Sequence, residues 1–235
     1  MKKIQGLWFL TLLGGFITCL ALGWLLQAKQ DYSYGFWYDW YDIGAHIERF
    51  GPQNRYIAGL ESLDKAGHVQ LFDAISVAVH QHGQGLADIR FDRAGQSVAL
   101  LRQAEITHLQ DVANLIDVLY RASLVIALAT LLLLAGLLWQ RTAPRWKQQL
   151  FWLLGVLAVT AAGVLIIGPK AVFYQLHVWI FPDNHQWFFY YQESLMSTLM
   201  KAPVLFGGIA LAIIAGGMLF FTLFVLLLQR MIRAR

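Results

Sequence analysis

Apolar residues dominate four long stretches of the chain, and polar residues concentrate between the first and the second of them. The four stretches cover residues 7–28, 119–139, 150–168 and 204–228. A hydrocarbon core ~30 Å thick requires roughly 20 apolar residues in a helix that rises 1.5 Å per residue. Each stretch has about that length, and the one charge within them is Arg121, close to an end of the second. The pattern therefore predicts four transmembrane helices.

Between the first two spans the pattern is that of a small α+β segment. Residues 71–80 have the apolar spacing of a helix, and Gly83 and Gly85 then interrupt it. Residues 86–91 alternate like a short strand, and residues 97–101 are a candidate partner strand after a turn. From about Gln103 the pattern is helical again and continues into the second span. We therefore predict a mainly α membrane protein with a small α+β insertion.

Charge predicts how the spans are oriented. The 235 residues are 58% hydrophobic with a formal net charge of +4, and the mean hydropathy is +0.52. Lys and Arg without any acid occupy both tails and the connection between spans two and three, whereas all 14 Asp and Glu lie within residues 31–117 and 183–193. Basic residues close to spans stay in the cytoplasm. This distribution is a topology signal, so we expect no nucleic-acid partner.

The predicted organisation follows from these two patterns, with both termini in the cytoplasm and an uncleaved first helix. It comprises transmembrane helix 1 (1–28), an outer α+β insertion (29–118), helix 2 (119–140), a cytoplasmic loop (141–149), helix 3 (150–168), a short outer loop (169–203), helix 4 (204–229) and a cytoplasmic tail (230–235).

Three polar residues share one side of the helix that enters the second span. Glu105, His108 and Asp111 are successive i+3 neighbours, which places a carboxylate one turn before the histidine and another one turn after it. Such a carboxylate can fix an imidazole tautomer and raise its basicity, as general bases require. The alternative interpretation is a solvated polar face at the point where the helix enters the membrane.

A second polar cluster lies in the aromatic segment after the third span. Residues 173–191 place His177, Asn184 and Trp187 among many Phe and Tyr residues. The topology puts His177 on the same side as His108 and at a similar depth, so a shared outer site is one interpretation. The other is an interfacial aromatic belt. The aromatic residues in 32–41 are likewise expected to form such a belt, or a surface that contacts a lipid or acyl chain.

The two polar segments resemble the lipoprotein intramolecular transacylase family. Residues 105–112 match its E-x-x-H-x-x-D-V pattern, and the order Phe173, His177, Phe181 and Trp187 is similar to its second motif. The second segment has more residues between Phe and Trp than is usual in the family, which indicates a divergent member. The four-helix layout with one large and one small outer connection also agrees.

The resemblance implies a membrane enzyme that acts on a diacylglyceryl lipoprotein, in a bacterial inner membrane and without a cofactor. In this family an acyl chain moves from the glycerol sn-2 ester to the α-amino group of the N-terminal cysteine. The family's catalytic histidines match His108 and His177. Glu105 or Asp111 would orient the base, and Asn184 or the Trp187 indole N–H would contact the oxyanion or the substrate.

Two other functions are compatible with the residues. The chain could be a non-catalytic membrane protein that binds a lipoprotein or an assembly partner. It could also be a metal-dependent hydrolase that uses His80, His82 or His185 together with other histidines, although no coordination set is recognisable and we expect no metal.

Overall fold

The computed structural model describes residues 2–234 of the chain, and helices form most of it. In chain order the elements are α1 (Lys2–Ala28), α2 (Tyr34–Trp40), α3 (Ile43–Phe50), α4 (Lys65–His80), β1 (Arg90–Arg93), β2 (Gln96–Ala99), α5 (Gln103–Trp139), α6 (Trp146–Ile167), α7 (Pro169–Ile180), α8 (Leu195–Leu199) and α9 (Val204–Arg233).

Four of the helices within residues 2–234 are long and apolar enough to cross a membrane, namely α1, α5, α6 and α9. The two strands lie between α1 and α5 in the chain. The predicted fold class, a mainly α membrane protein with four spans and a small α+β insertion, is therefore confirmed. The orientation of the spans and the limits assigned to the outer and cytoplasmic segments remain predictions.

The chain divides into two compact units. Unit 1 contains the residues up to Leu26, Tyr120–Tyr174 and the residues from Ala212 onward, whereas unit 2 contains Gln27–Leu119 and Gln175–Leu211. Helix α5 therefore contributes its first 17 residues, 103–119, to unit 2 and the remainder to unit 1. Each unit has its own internal packing.

Unit 1 is a helical assembly that buries one face of α1. Trp8 is fully buried against Leu137, Leu138 and Leu228, and its indole N–H donates to Thr142 Oγ1 at 3.2 Å. Further along α1, a Cβ on Gly23 would lie 2.8 Å from backbone atoms of α9. A glycine is needed there because the two backbones approach so closely, as small residues commonly allow between membrane helices.

Unit 2 has an aromatic core rather than an aromatic surface alone. The Tyr34 ring stacks on Phe72 with 4.1 Å between centroids, and its hydroxyl donates to the Leu199 carbonyl at 2.6 Å. Phe36 and Trp40 are exposed and stack on each other at 5.8 Å. The aromatic residues in 32–41 therefore serve two roles: one subset fills the core, and the interfacial belt remains a prediction for the other.

The strand pairing occurs where the alternating pattern indicates it, but β1 begins later than predicted. Arg90–Arg93 pairs antiparallel with Gln96–Ala99, and Phe91 lies opposite Val98. Residues 86–88, expected as the start of the strand, instead form a 3₁₀ turn after Gly85, whose φ is +84°. That turn buries Leu86 in the core, which alternation alone does not reveal.

The segment after the third span is more ordered than the short outer loop that was predicted. Gly168 has φ +93° and ends α6, and α7 begins directly at Pro169, a residue favoured in the first turn of a helix. A second, one-turn helix, α8, precedes the fourth span. His177 therefore lies on a helix, which restricts where its ring can point.

Candidate active site

The start of α5 is fixed by a side chain that also belongs to the polar cluster. Glu105 is the third residue of the helix, and its Oε2 accepts from the backbone N–H of Arg102 at 3.0 Å. This is half of a capping box, in which an acid at that position satisfies an N–H that the helix leaves unpaired. Glu105 therefore fixes where α5 begins, and this sets the positions of His108 and Asp111 on the helix.

Glu105 also binds the segment before the fourth span. Its Oε1 accepts from Ser194 Oγ at 2.5 Å and from Leu195 N–H at 3.0 Å. Ser194 Oγ in turn accepts from Met196 N–H and caps α8. Glu105 and Ser194 are fully buried. Burial raises the pKa of Glu105, while its hydrogen bonds act in the opposite direction.

His108 lies one turn further along α5, in an aromatic environment. Its residue exposure is 7%, and its ring contacts Phe181 at 5.0 Å and Phe189 at 6.0 Å between centroids. Its Nδ1 is buried and has no hydrogen-bond partner within residues 2–234. Buried polar atoms are nearly always paired in folded proteins, so an unpaired imidazole nitrogen is an unusual feature that calls for an explanation.

His177 of α7 faces the same aromatic group. Its ring centroid is 6.2 Å from that of His108, and the two ring planes are inclined by 30°. Phe181, the residue directly after the end of α7, contacts both imidazoles, and Trp187 lies 5.1 Å from the His177 ring. All these residues belong to unit 2. Two histidines that are 69 positions apart in the chain therefore form one site.

The surroundings make His108 a neutral imidazole at physiological pH. The residue precedes the apolar stretch of α5, which begins at residue 119. Burial, and to a smaller extent the neighbouring His177, lower the pKa of His108 to about 4, although the Asp111 carboxylate acts in the opposite direction. An imidazole in this state offers a lone pair to an incoming proton, and its conjugate acid returns the proton readily.

Asp111 acts on His108 by charge and forms its hydrogen bond elsewhere. Its Oδ2 accepts from His185 Nδ1 at 2.7 Å, and the Asp111 side chain is 13% exposed. A neutral His185 that donates from Nδ1 has its lone pair on Nε2. Sequence spacing identified Asp111 as a neighbour of His108, but it gave no sign that His185 would be the partner.

Arg102 joins the aromatic environment to the chain before the fourth span. Its Nε donates to the Glu193 carbonyl at 2.7 Å, and its guanidinium lies 4.8 Å from the Tyr56 ring centroid and 5.3 Å from that of Phe189. Phe189 also contacts His108, so the Arg102 guanidinium stabilises one of the aromatic rings that pack against this imidazole. The planar guanidinium suits stacking between two aromatic faces.

The structure separates the predicted site residues into distinct groups. His108, His177 and Trp187 are brought together, whereas Glu105 and Asp111 flank the site through Ser194 and His185. Asn184 is exposed and has no hydrogen bond to either catalytic candidate within residues 2–234. Sequence reasoning did not identify Phe189 and Arg102 as contacts of the site, and it placed Phe181 in the second motif without giving it a role.

The remaining histidines have separate partners. No group of three His, Cys, Asp or Glu side chains that could hold a metal ion occurs in the described part of the chain. The partners are Tyr32 for His80, Asp117 for His82, Tyr38 and the Leu60 carbonyl for His68, and the Ser197 carbonyl for His46.

The fold and the site together define a helical membrane protein with two imidazoles paired in an aromatic environment. The sequence model of the family described as "Lipoprotein intramolecular transacylase Lit" matches residues 88–202, just under half of the chain. The matched segment contains both histidines, so the resemblance indicated by the two motifs is confirmed. It supports a transacylase-like function with a lipoprotein substrate in a membrane. No curated protein and no solved structure matches the chain.

Proposed function

We propose that this protein moves an acyl chain within a diacylglyceryl lipoprotein, from the glycerol sn-2 ester to the α-amino group of the N-terminal cysteine. The observation that carries the proposal is the pairing of His108 and His177 at 6.2 Å, with a buried and unpaired Nδ1 on His108. The proposed location is a bacterial inner membrane, with the site on the outer side and both termini in the cytoplasm.

The proposed reaction needs little from the protein beyond positioning and proton transfer. Both reacting groups belong to one molecule, and holding them in line can supply ~7–11 kcal/mol of the barrier. The amine nitrogen attacks the ester carbonyl carbon, the C–N bond forms, and the bond from that carbon to the glycerol oxygen then breaks. The products are an amide and a free sn-2 hydroxyl within the same lipoprotein, and no water or second substrate is consumed.

The low pKa of His108 determines when it can accept a proton. An α-ammonium has a pKa of ~8, so roughly a tenth of it is neutral amine at pH 7, and an apolar environment increases that fraction. We propose that the neutral amine attacks and that His108 removes the second proton once nitrogen becomes positively charged. His177 would polarise the carbonyl or protonate the departing glycerol oxygen. The two histidines could exchange these roles.

Groups around the two histidines would stabilise the charge that develops on the carbonyl oxygen and would hold the site in place. The Trp187 indole N–H, whose ring is 5.1 Å from His177, is the better supported donor to the oxyanion, and Asn184 is the other candidate. Glu105 and Asp111 would support the site, Glu105 by fixing the start of α5 and Asp111 by its charge. Aromatic walls around His108 exclude water, which favours aminolysis over hydrolysis of the ester.

The test uses the fact that an intramolecular transfer conserves mass. Cells that lack their own lipoprotein N-acyltransferase would express a reporter lipoprotein with the wild-type chain or with a variant. The intact N-terminal lipopeptide should keep the mass of the diacyl form, but its amine should resist an amine-reactive label and its fragments should carry an N-linked acyl chain. A gain of one acyl mass would indicate transfer from a separate phospholipid and would contradict the proposal.

Variants of the two histidines separate chemistry from folding. His108→Phe and His177→Phe keep a ring in the aromatic environment and remove the proton-transfer group, so product should fall at least ~100-fold. His82→Asn is the matched control, because His82 pairs with Asp117 outside the site and has φ +58°, which asparagine tolerates. An unmodified diacyl lipoprotein with the wild-type chain, or full activity of both phenylalanine variants, would refute the assignment.

A further inference from the structure

A cleft of about 620 Å³ lies in unit 1, whereas the two histidines belong to unit 2. Two helices line it, α1 from its first residue and α6 together with the residue before it. The lining residues are Lys2, Gln5, Gly6, Phe9, Arg145, Gln148, Gln149 and Trp152.

The two walls have the same spacing and the same order of chemistry. On α1 the lining positions are i, i+3, i+4 and i+7 from Lys2, and on α6 they are i, i+3, i+4 and i+7 from Arg145. Each wall therefore begins with a cation, continues with glutamine and ends with an aromatic ring, Phe9 or Trp152. The cleft is cationic at one end and apolar at the other.

The cationic end has the features of an anion site. Lys2 and Arg145 line it, and no acidic residue is among the lining residues that the structure describes. Helix α6 begins at this end, where the Arg145 N–H donates to Gln5 Oε1, so the positive end of a long helix is located there. A single negative group placed between the two walls would interact with all of these features.

The cleft also contains a buried hydrogen-bond acceptor, Gln149 Oε1, that has no donor within residues 2–234. Gln149 is 2% exposed, and its Nε2 donates to the Gln5 carbonyl and to Gln5 Oε1, both at 3.0 Å. These bonds assign the other amide atom as oxygen, and this buried Oε1 has no hydrogen-bond partner within residues 2–234. A buried carbonyl oxygen without a donor is costly, so a ligand with an N–H or O–H group would satisfy it.

We propose that this cleft binds one glycerophospholipid whose headgroup carries a donor, such as phosphatidylethanolamine or phosphatidylglycerol. The phosphate would lie between Lys2 and Arg145, and the headgroup ammonium or hydroxyl would donate to Gln149 Oε1. The start of the acyl chains would follow Phe9 and Trp152. Gly6 leaves room for these chains, because a Cβ on it would have no atom within 4 Å.

The test measures lipid retained by the full-length protein in detergent. Native mass spectrometry would be recorded with dioleoyl phosphatidylglycerol, with dioleoylglycerol and with inorganic phosphate. We expect one phosphatidylglycerol to remain bound to the wild-type chain at activation energies that remove other lipids, and we expect dioleoylglycerol not to be retained. Displacement of the lipid by millimolar inorganic phosphate would show that the site recognises the free anion, which would overturn the lipid assignment.

Filling the cleft tests the proposal without changing charge. Gly6→Leu should lower the affinity for phosphatidylglycerol at least tenfold, and it should not impair folding, because leucine is the better helix former. Gly155→Leu is the matched control, since Gly155 lies on α6 outside the cleft and its Cβ also meets open space. Arg145→Gln should weaken binding, whereas Lys147→Gln, at an exposed neighbouring cation, should not. If Gly6→Leu and Gly155→Leu had the same affinity for phosphatidylglycerol, and Arg145→Gln the same affinity as Lys147→Gln, the proposed site would be refuted.

Discussion

Asp111 accepts a hydrogen bond from His185 at 2.7 Å, although it lies only three residues after His108 on the same helix. His108 is left with a buried nitrogen that has no partner within residues 2–234. The carboxylate therefore influences the buried imidazole through space without fixing its tautomer. This arrangement differs from the triads in which an acid holds the catalytic histidine directly.

Removing the charge of Asp111 should change the basicity of His108. In Asp111→Asn the amide oxygen can still accept from His185, but the charge that raises the pKa of His108 is lost, so that pKa falls further. One pKa unit corresponds to a tenfold change in basicity. We expect transfer to slow about tenfold and its acid limb to move to lower pH, as measured by labelling the reporter amine across a pH series.

The chain provides a close control for this variant. Asp117 also lies on α5 and also binds a histidine at 2.7 Å, but its partner is His82. Asp117→Asn should leave the rate within about twofold. If the two asparagine variants lose activity equally, the effect arises from α5 in general and the role of Asp111 charge is excluded.

Glu105→Gln should destabilise the protein although it keeps the shape of the side chain. Both carboxylate oxygens accept hydrogen bonds, Oε2 from Arg102 and Oε1 from Ser194 and Leu195. A glutamine amide has one oxygen and one NH₂ group, so its NH₂ would face one of the donors, Arg102 N–H or the Ser194 and Leu195 pair, that now bind a carboxylate oxygen. The expected loss is about 1–3 kcal/mol of unfolding free energy, measured by denaturant titration in detergent micelles.

Glu61→Gln serves as the comparison for that measurement. Glu61 accepts from Gly59 through one oxygen and is only partly buried, so the amide can keep the bond at little cost. We expect its unfolding midpoint to be close to that of the wild-type chain. A Glu105→Gln variant as stable as Glu61→Gln would show that the buried bonds contribute nothing net.

The stability of the folded state should decrease as the solution becomes acidic. The pKa of His108 is about 4 in the folded chain and ordinarily 6.5, so the unfolded chain binds a proton first as pH falls. The contribution of the neutral His108 to the free energy of unfolding is fully present above about pH 6.5, and it is lost progressively as the pH falls toward 4. His46, His68 and His80 also have lowered pKa values for the same reason, burial.

The part of this acid destabilisation that is due to His108 can be measured with the variant His108→Phe. Thermal unfolding of the two proteins in detergent, between about pH 7.5 and pH 4.5, should show a shallower acid decline for the variant, by up to one proton in slope. Parallel declines would mean that the buried imidazole is protonated in the folded state and that its pKa is not lowered.

The parts of the fold that repeat a simple period could be predicted from the sequence. Four spans follow from uninterrupted apolar length, and α5 follows from a helical pattern that runs from Gln103 into the second span. The hairpin follows from alternation around a turn, where Gly95 has φ +83° and its N–H donates to Asp92 Oδ1. Each of these features depends on residues that are neighbours in the chain.

The missing parts depend on contacts between distant residues. The i+3 spacing placed Glu105 and Asp111 beside His108, but their partners Ser194 and His185 come from a segment more than 70 positions away. The aromatic load of residues 173–191 concealed α7, because Phe and Trp suit an interfacial loop as well as a helix face. Topology suggested that His177 could share a site with His108, and the family resemblance favoured this interpretation over an aromatic belt.

The bond between Glu105 and Ser194 joins residues 89 positions apart, and it has a consequence for biosynthesis. While the ribosome is still making the third span, α5 is complete but neither α7 nor the Ser194 segment exists, so His108 has no second imidazole and no aromatic cover from later in the chain. The site can be assembled only when almost the whole protein has been translated and inserted. For the proposed acyl transfer, we therefore expect truncated chains that lack the Ser194 segment to be inactive.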